Sequence, residues 1–164
     1  MSIKVKYESL KDSIEKSSIE FGLSKRLIFA VIMTESGGNT NVMRFENGYK
    51  WLFRVKDMAK KAGFGCTDKT MEVMQSCSFG LMQVMGANYY INGGQGWCSE
   101  MLIPEKGIYY GCKILKSITK KHKNHADTYA VYNAGSLIKR EGNYKNQENV
   151  NNFLNWYNQI DFLD

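Results

Sequence analysis

The longest uninterrupted apolar run in the chain, Leu27 to Met33, is only seven residues, and that brevity excludes a membrane-spanning helix, which needs ~20. Ser24 precedes the run as an N-cap and Gly37-Gly38 follows it as a stop. The run therefore reads as the middle of one helix through Leu27, Ile28, Ala30, Val31 and Ile32. Upstream, Leu10, Ile14 and Phe21 fall near helical spacing between Tyr7 and Phe21, and Gly22 closes that segment. A further helix is expected after Ser78, starting with Phe79-Gly80-Leu81-Met82-Gln83-Val84-Met85. Pro104-Glu105 marks another start, with Ile108, Cys112, Leu115 and Thr119 lining one face. Asp127 to Ala134 and Val150 to Tyr157 read as two more, whereas the Asn/Gly-rich stretches from Asn39 to Asn47 and from Asn88 to Gly96 read as loops or a small irregular sheet.

That pattern predicts a mainly α fold, in which one compact helical domain over residues 1–164 carries a small irregular loop or β region. The single proline and the absence of long polar tracts leave no interdomain linker. A chain of 164 residues buries roughly 70% of its unfolded surface, so a core is available without disulfides or metals. A monomer is expected. The start of the chain, Met1-Ser2-Ile3-Lys4, has no apolar stretch of a signal peptide, so synthesis in the cytoplasm with reduced thiols is expected.

Several function classes find no support. Cys66, Cys77, Cys98 and Cys112 contain no Cys-x-x-Cys pair, and His122 and His125 lie in a lysine-rich segment, so no metal site is predicted. Glycine-rich nucleotide loops are absent, and no cofactor is expected. The net charge is +6, with only four arginines among 22 basic residues. Specific readers of nucleic acid lean on Arg, so a nucleic-acid partner is not expected. The cluster Lys116, Lys120, Lys121 and Lys123 reads either as a solvated helix face or as a surface steered toward an anionic polymer such as those of a bacterial envelope.

Glu35 is the residue that does not fit a core helix. Leu27, Val31 and Glu35 are spaced by four, which places a carboxylate on the apolar stripe in the helix's last turn. Burial and the negative end of the helix macrodipole both disfavour its charged form. A carboxylic acid kept protonated near neutral pH is what protonation of a glycosidic oxygen requires. A Glu at a helix end that simply turns to solvent is the plainer alternative from the spacing alone.

Three strings in order then resemble one family. They are Glu35-Ser36-Gly37-Gly38, Ser78-Phe79-Gly80-Leu81-Met82-Gln83-Val84-Met85, and Ala130-Val131-Tyr132-Asn133-Ala134-Gly135. Together they resemble the lytic transglycosylases of the soluble type, relatives of goose-type lysozymes, over about residues 28–135. The resemblance implies an α+β lysozyme-like fold with a substrate groove, and peptidoglycan glycan strands as the partner. It implies Glu35 as the catalytic acid, Ser36 as the serine beside it, and Met82 and Gln83 as apolar and hydrogen-bonding contacts to sugar. Tyr132 and Asn133 match the Tyr-Asn pair, the phenol near the carboxyl and the amide on the sugar; Val131 stands where the family usually has Ala.

Hydrolytic glycosidases ordinarily use two carboxyl groups. The resemblance implies that one suffices, with a 1,6-anhydro-muramyl product and no water consumed. Glu46, eleven positions after Glu35, is a substrate-binding candidate on this reading; as a base activating water it would instead make the protein a hydrolytic muramidase. Two further alternatives are a non-catalytic wall-binding protein and a cysteine-dependent wall peptidase built on Cys77 at a helix start with His122 or His125. The missing export signal fits a phage lysin or a wall-degrading component of a virion or secretion apparatus, and the phage lysin is the expectation because the chain reads as one compact catalytic domain.

Overall fold

The computed structural model describes residues 2–63 and 65–163. In chain order the elements are α1 (Ile3–Glu8), α2 (Lys11–Phe21), α3 (Lys25–Ser36), β1 (Met43–Phe45), α4 (Val55–Ala62), α5 (Asp68–Gln75), β2 (Cys77–Phe79), β3 (Val84–Met85) and α6 (Gly86–Ile91). A 3-10 turn (Cys98–Leu102) leads into α7 (Pro104–Thr119), α8 (His125–Ala134), β4 (Lys139–Arg140), β5 (Asn143–Tyr144), α9 (Gln147–Gln159) and a last 3-10 turn (Asp161–Leu163). The fold is mostly helical with small antiparallel strands, as the lysozyme-like expectation requires. Its contacts gather into two compact units, residues 1–38 with 112–164 and residues 39–111.

In the first unit α3 is the central helix. Residues 27–33 are all buried, in consecutive positions that point in every direction around the helix, which only a helix enclosed on all sides can satisfy. It packs against α9 and α2. Its ends follow from local chemistry. The Ser24 hydroxyl accepts the Leu27 N–H at 3.1 Å, and Gly37 closes the helix in the left-handed region at φ 61°, donating its N–H to Met33 O. Arg26 ties α3 to α9, donating Nε to Tyr157 O at 2.7 Å with its guanidinium 4.3 Å from the ring centroid. The segment expected as one helix up to Phe21 is two. Ser9 ends α1 by donating its hydroxyl to Lys6 O, a local bond that competes with helix continuation.

In the second unit β2 pairs with β1 (Arg44↔Ser78) and with β3 (Phe79↔Val84), both antiparallel. The expected helix over 79–85 is therefore a strand, a tight turn and a second strand. Short apolar runs are ambiguous between helix and buried strand, and here the backbone decides. Gly80 has φ +70°, and a β-carbon on it would stand 2.2 Å from Met101 O, so only glycine fits. Gln83 is also left-handed, at φ 47°, and its amide holds the turn. Oε1 accepts from the Ser78 hydroxyl at 2.9 Å, and Nε2 donates to Gly80 O at 2.8 Å and Val42 O at 3.1 Å. The next helix, α6, begins only at Gly86 and enters the stretch expected to be loop. Between β1 and β2 lie α4 and α5, of which α5 is capped by Thr67 accepting the Thr70 N–H.

Candidate active site

Glu35 occupies the last turn of α3, half-buried, one turn beyond buried Val31 and two beyond buried Leu27. Its carboxylate is held from α8. The Tyr129 hydroxyl donates to Glu35 Oε1 at 2.8 Å, and Asn133 Nδ2 donates to the same oxygen at 3.4 Å. Positions four apart on a helix share a face, which is how α8 presents both donors together. Neither donor is left to its own rotamer preferences. Tyr129 is 1% exposed and its ring stacks on Phe153 of α9, centroids 4.6 Å apart at 5°. The Asn133 carbonyl oxygen accepts from Asn146 Nδ2 at 2.8 Å and from Asn149 Nδ2 at 3.0 Å, which turns its NH2 toward Glu35.

Tyr132, one turn after Tyr129 on the same helix, has its phenol pushed well above the ordinary value, by burial first and by the Glu35 charge second. It is a neutral hydroxyl throughout the physiological range. Ser36 secures the helix end: its hydroxyl donates to Ile32 O at 3.1 Å and accepts the Gly38 N–H at 3.2 Å. Lys6 reaches the same terminus, donating Nζ to Gly37 O at 2.6 Å. Burial and the macrodipole were the two effects weighed from sequence, and both oppose charge on Glu35. The two donors from α8 act in the opposite direction, because each favours the ionised carboxylate.

The other candidate residues belong to the second unit. Met82 is fully buried, and its sulfur and carbons fill the space that a side chain on Gly111 would occupy. Its side chain thus serves packing rather than an exposed apolar contact. Gln83 spends its amide on the β2–β3 turn. Glu46 follows β1, with its N–H donated to Ser76 O at 2.9 Å and its carbonyl accepting from Tyr49. Cys77 does not stand at a helix start: it lies in β2, 3% exposed, where burial and then the Glu46 charge push its thiol up. The premise of a cysteine nucleophile activated by a helix N-terminus is therefore removed. Among the described residues no group of three or more His, Cys, Asp and Glu gathers as a metal site would need, and no helix is long and apolar enough to cross a membrane.

Tyr129, Asn146 and Asn149 were not singled out from sequence. Tyr129 shares a helix face with Asn133, but that spacing marks a site only once α8 lies beside the end of α3, and the two asparagines act only through the α8–α9 packing. A family profile described as Transglycosylase SLT domain matches residues 12–154. The chain belongs to that family. Members of the SLT family are lytic transglycosylases acting on peptidoglycan, and this SLT chain is an enzyme of that class. No curated protein and no solved structure matches it significantly.

Proposed function

We propose that this SLT enzyme breaks the β-1,4 bond between N-acetylmuramic acid and N-acetylglucosamine with Glu35 as its single acid and base. The carboxylic acid gives its proton to the glycosidic oxygen as the bond from C1 of the muramyl residue breaks. The substrate's acetamido oxygen stabilises the cationic centre. The carboxylate left on Glu35 then takes the proton of the C6 hydroxyl, whose oxygen bonds to C1 and closes a 1,6-anhydro ring. Atoms balance without water, and Glu35 ends protonated as it began.

The observation that carries this reading is the Glu35 carboxyl oxygen held by Tyr129 and Asn133 at the end of a buried helix. Those donors hold Glu35 in one orientation through both proton transfers. They also favour its charge, so proton delivery depends on desolvation as a glycan covers the exposed edge of the carboxyl. Tyr132, neutral, offers a hydroxyl donor close to the developing charge. Ser36 acts by fixing the helix end. In the first unit Asn133 is proposed as a polar contact to the glycan, and in the second unit Glu46, while Gln83 fixes the β2–β3 turn and Met82 packs the interior.

The net charge of +6 suits attachment to an anionic wall, and a phage lysin or a virion- or secretion-associated wall enzyme is the proposed setting for one catalytic domain of this kind. Turnover of purified peptidoglycan by wild type and Glu35→Gln tests the assignment. Release of soluble fragments is expected to fall at least a thousandfold in the variant, with glycan binding retained. Equal turnover would remove Glu35 from the mechanism.

A further inference from the structure

Away from Glu35, the first unit carries a cleft of about 380 Å³ between the α2–α3 corner, the end of α7 and the start of α8. That volume lies in the ~300–1,000 Å³ range of ligand sites. Its lining holds Lys116, Lys120, Lys123, His122 and His125, with the Tyr157 ring as one wall, and no carboxylate. Three lysines on one cleft whose lining holds no carboxylate make a region of positive potential that a bound anion would neutralise.

The bland reading of such lysines is a set of cations compensating the carbonyl end of α7. Lys116 does not follow it. Its Nζ extends away from α7 to the α2–α3 corner and stands 3.5 Å from where a β-carbon on Gly22, the C-cap of α2, would be. The carbonyl end of α2 and the Ser24-capped first turn of α3 meet at that corner and offset one another, so the positive potential of the cleft comes from its lysines. Two nearby acids are engaged elsewhere, Glu15 pairing with Lys25 at 3.4 Å and Asp127 accepting from Lys139 at 2.8 Å and from Tyr144 at 2.6 Å, while Glu20 near the end of α2 is exposed and is not among the lining residues. The walls are also built. Thr128 donates its hydroxyl to His122 O at 3.0 Å, and Tyr157 lies between the His125 ring, 4.8 Å away, and the Arg26 guanidinium.

We infer that this cleft binds a phosphodiester-linked anionic polymer of the bacterial wall. Lysines are point charges suited to phosphate, and no arginine fork lines the cleft to select planar carboxylates. Lys120, just past the end of α7, follows Lys116 by four positions and donates its N–H to Lys116 O, a rise of about 6 Å that meets a repeating charge. The anion site rests on the cleft alone, whereas the choice of a wall polymer rests on the peptidoglycan substrate of the SLT family.

The test is binding of soluble, lipid-free poly(glycerol phosphate) to the full chain by calorimetry, with peptidoglycan absent so that cleavage plays no part. The triple variant Lys116→Gln/Lys120→Gln/Lys123→Gln is expected to bind at least tenfold more weakly, with unchanged turnover of purified, polymer-free peptidoglycan. A control triple, Lys56→Gln/Lys60→Gln/Lys61→Gln, is expected to bind as wild type does. Equal loss in both triples would mean general charge attraction and overturn the site. Equal affinity for polyglutamate of matched charge would overturn the phosphate assignment. Tighter binding of duplex DNA or of anionic phospholipid vesicles than of poly(glycerol phosphate) would overturn the wall polymer.

Discussion

Tyr129→Phe removes one oxygen atom and leaves the ring that stacks on Phe153, so its effect isolates the hydrogen bond to Glu35. A hydrogen bond to a charged group contributes about 1.5–3 kcal/mol, and because Glu35 is half-buried the lower end applies, about 1.5 kcal/mol. If that bond holds the carboxyl in its reactive orientation, kcat/KM on peptidoglycan falls about tenfold. Stability should fall by no more than that ~1.5 kcal/mol, since the stacking and the buried area persist. The assay is kcat/KM for wild type, Tyr129→Phe, Glu35→Gln and the double variant, with denaturant midpoints measured in parallel. In the Glu35→Gln background the second substitution should cost nothing further, because its effect runs through Glu35. An unchanged kcat/KM in Tyr129→Phe, or the same fractional loss in both backgrounds, would refute the reasoning.

Gly80→Ala should lower the unfolding free energy, measured by denaturant titration, by about 3 kcal/mol or more, because φ +70° strains a non-glycine residue and the new β-carbon meets Met101 O. Asp127→Asn tests a pH dependence. Hydrogen bonds from Lys139 and Tyr144 hold the Asp127 carboxyl below its ordinary value, so its stabilisation is full above the unfolded value of about 4 and is lost as pH falls through the depressed folded value. The stability difference between wild type and variant should therefore be greatest near neutral pH and vanish in acid. Of the four thiols, only half-buried Cys66 should react with a thiol reagent at mildly alkaline pH in the native state. Cys77 and Cys112 are buried with thiols pushed up, and Cys98 is pushed up to about 12; fast labelling of Cys77 would contradict the structure.

What was legible in the sequence was whatever the chain decides locally. Ser24, Gly22, Gly37 and Pro104 mark helix ends by capping chemistry that involves only residues three or four away, and each stands at the boundary it suggested. Residues 79–85 were misread because their state is set by a partner strand more than thirty positions earlier and by the backbone of Met101, neither of which enters a periodicity. Glu35 was visible because a carboxylate on an apolar stripe contradicts its surroundings. Tyr129 was not, because a tyrosine on a buried helix face contradicts nothing; its role appears only when α8 lies beside the end of α3. Asn146 and Asn149 orient Asn133 through the packing of α9, and an asparagine-rich helix gives no sign of which amides are used.

The most direct test of the chemistry is the mass of the muramyl ends released from purified peptidoglycan by the wild-type enzyme. Ring closure by the C6 hydroxyl predicts 1,6-anhydro ends, lighter by one water than reducing ends, and the same product from Glu46→Gln. Reducing ends from the wild type, lost on replacing Glu46, would contradict the single-carboxyl mechanism and make water the nucleophile.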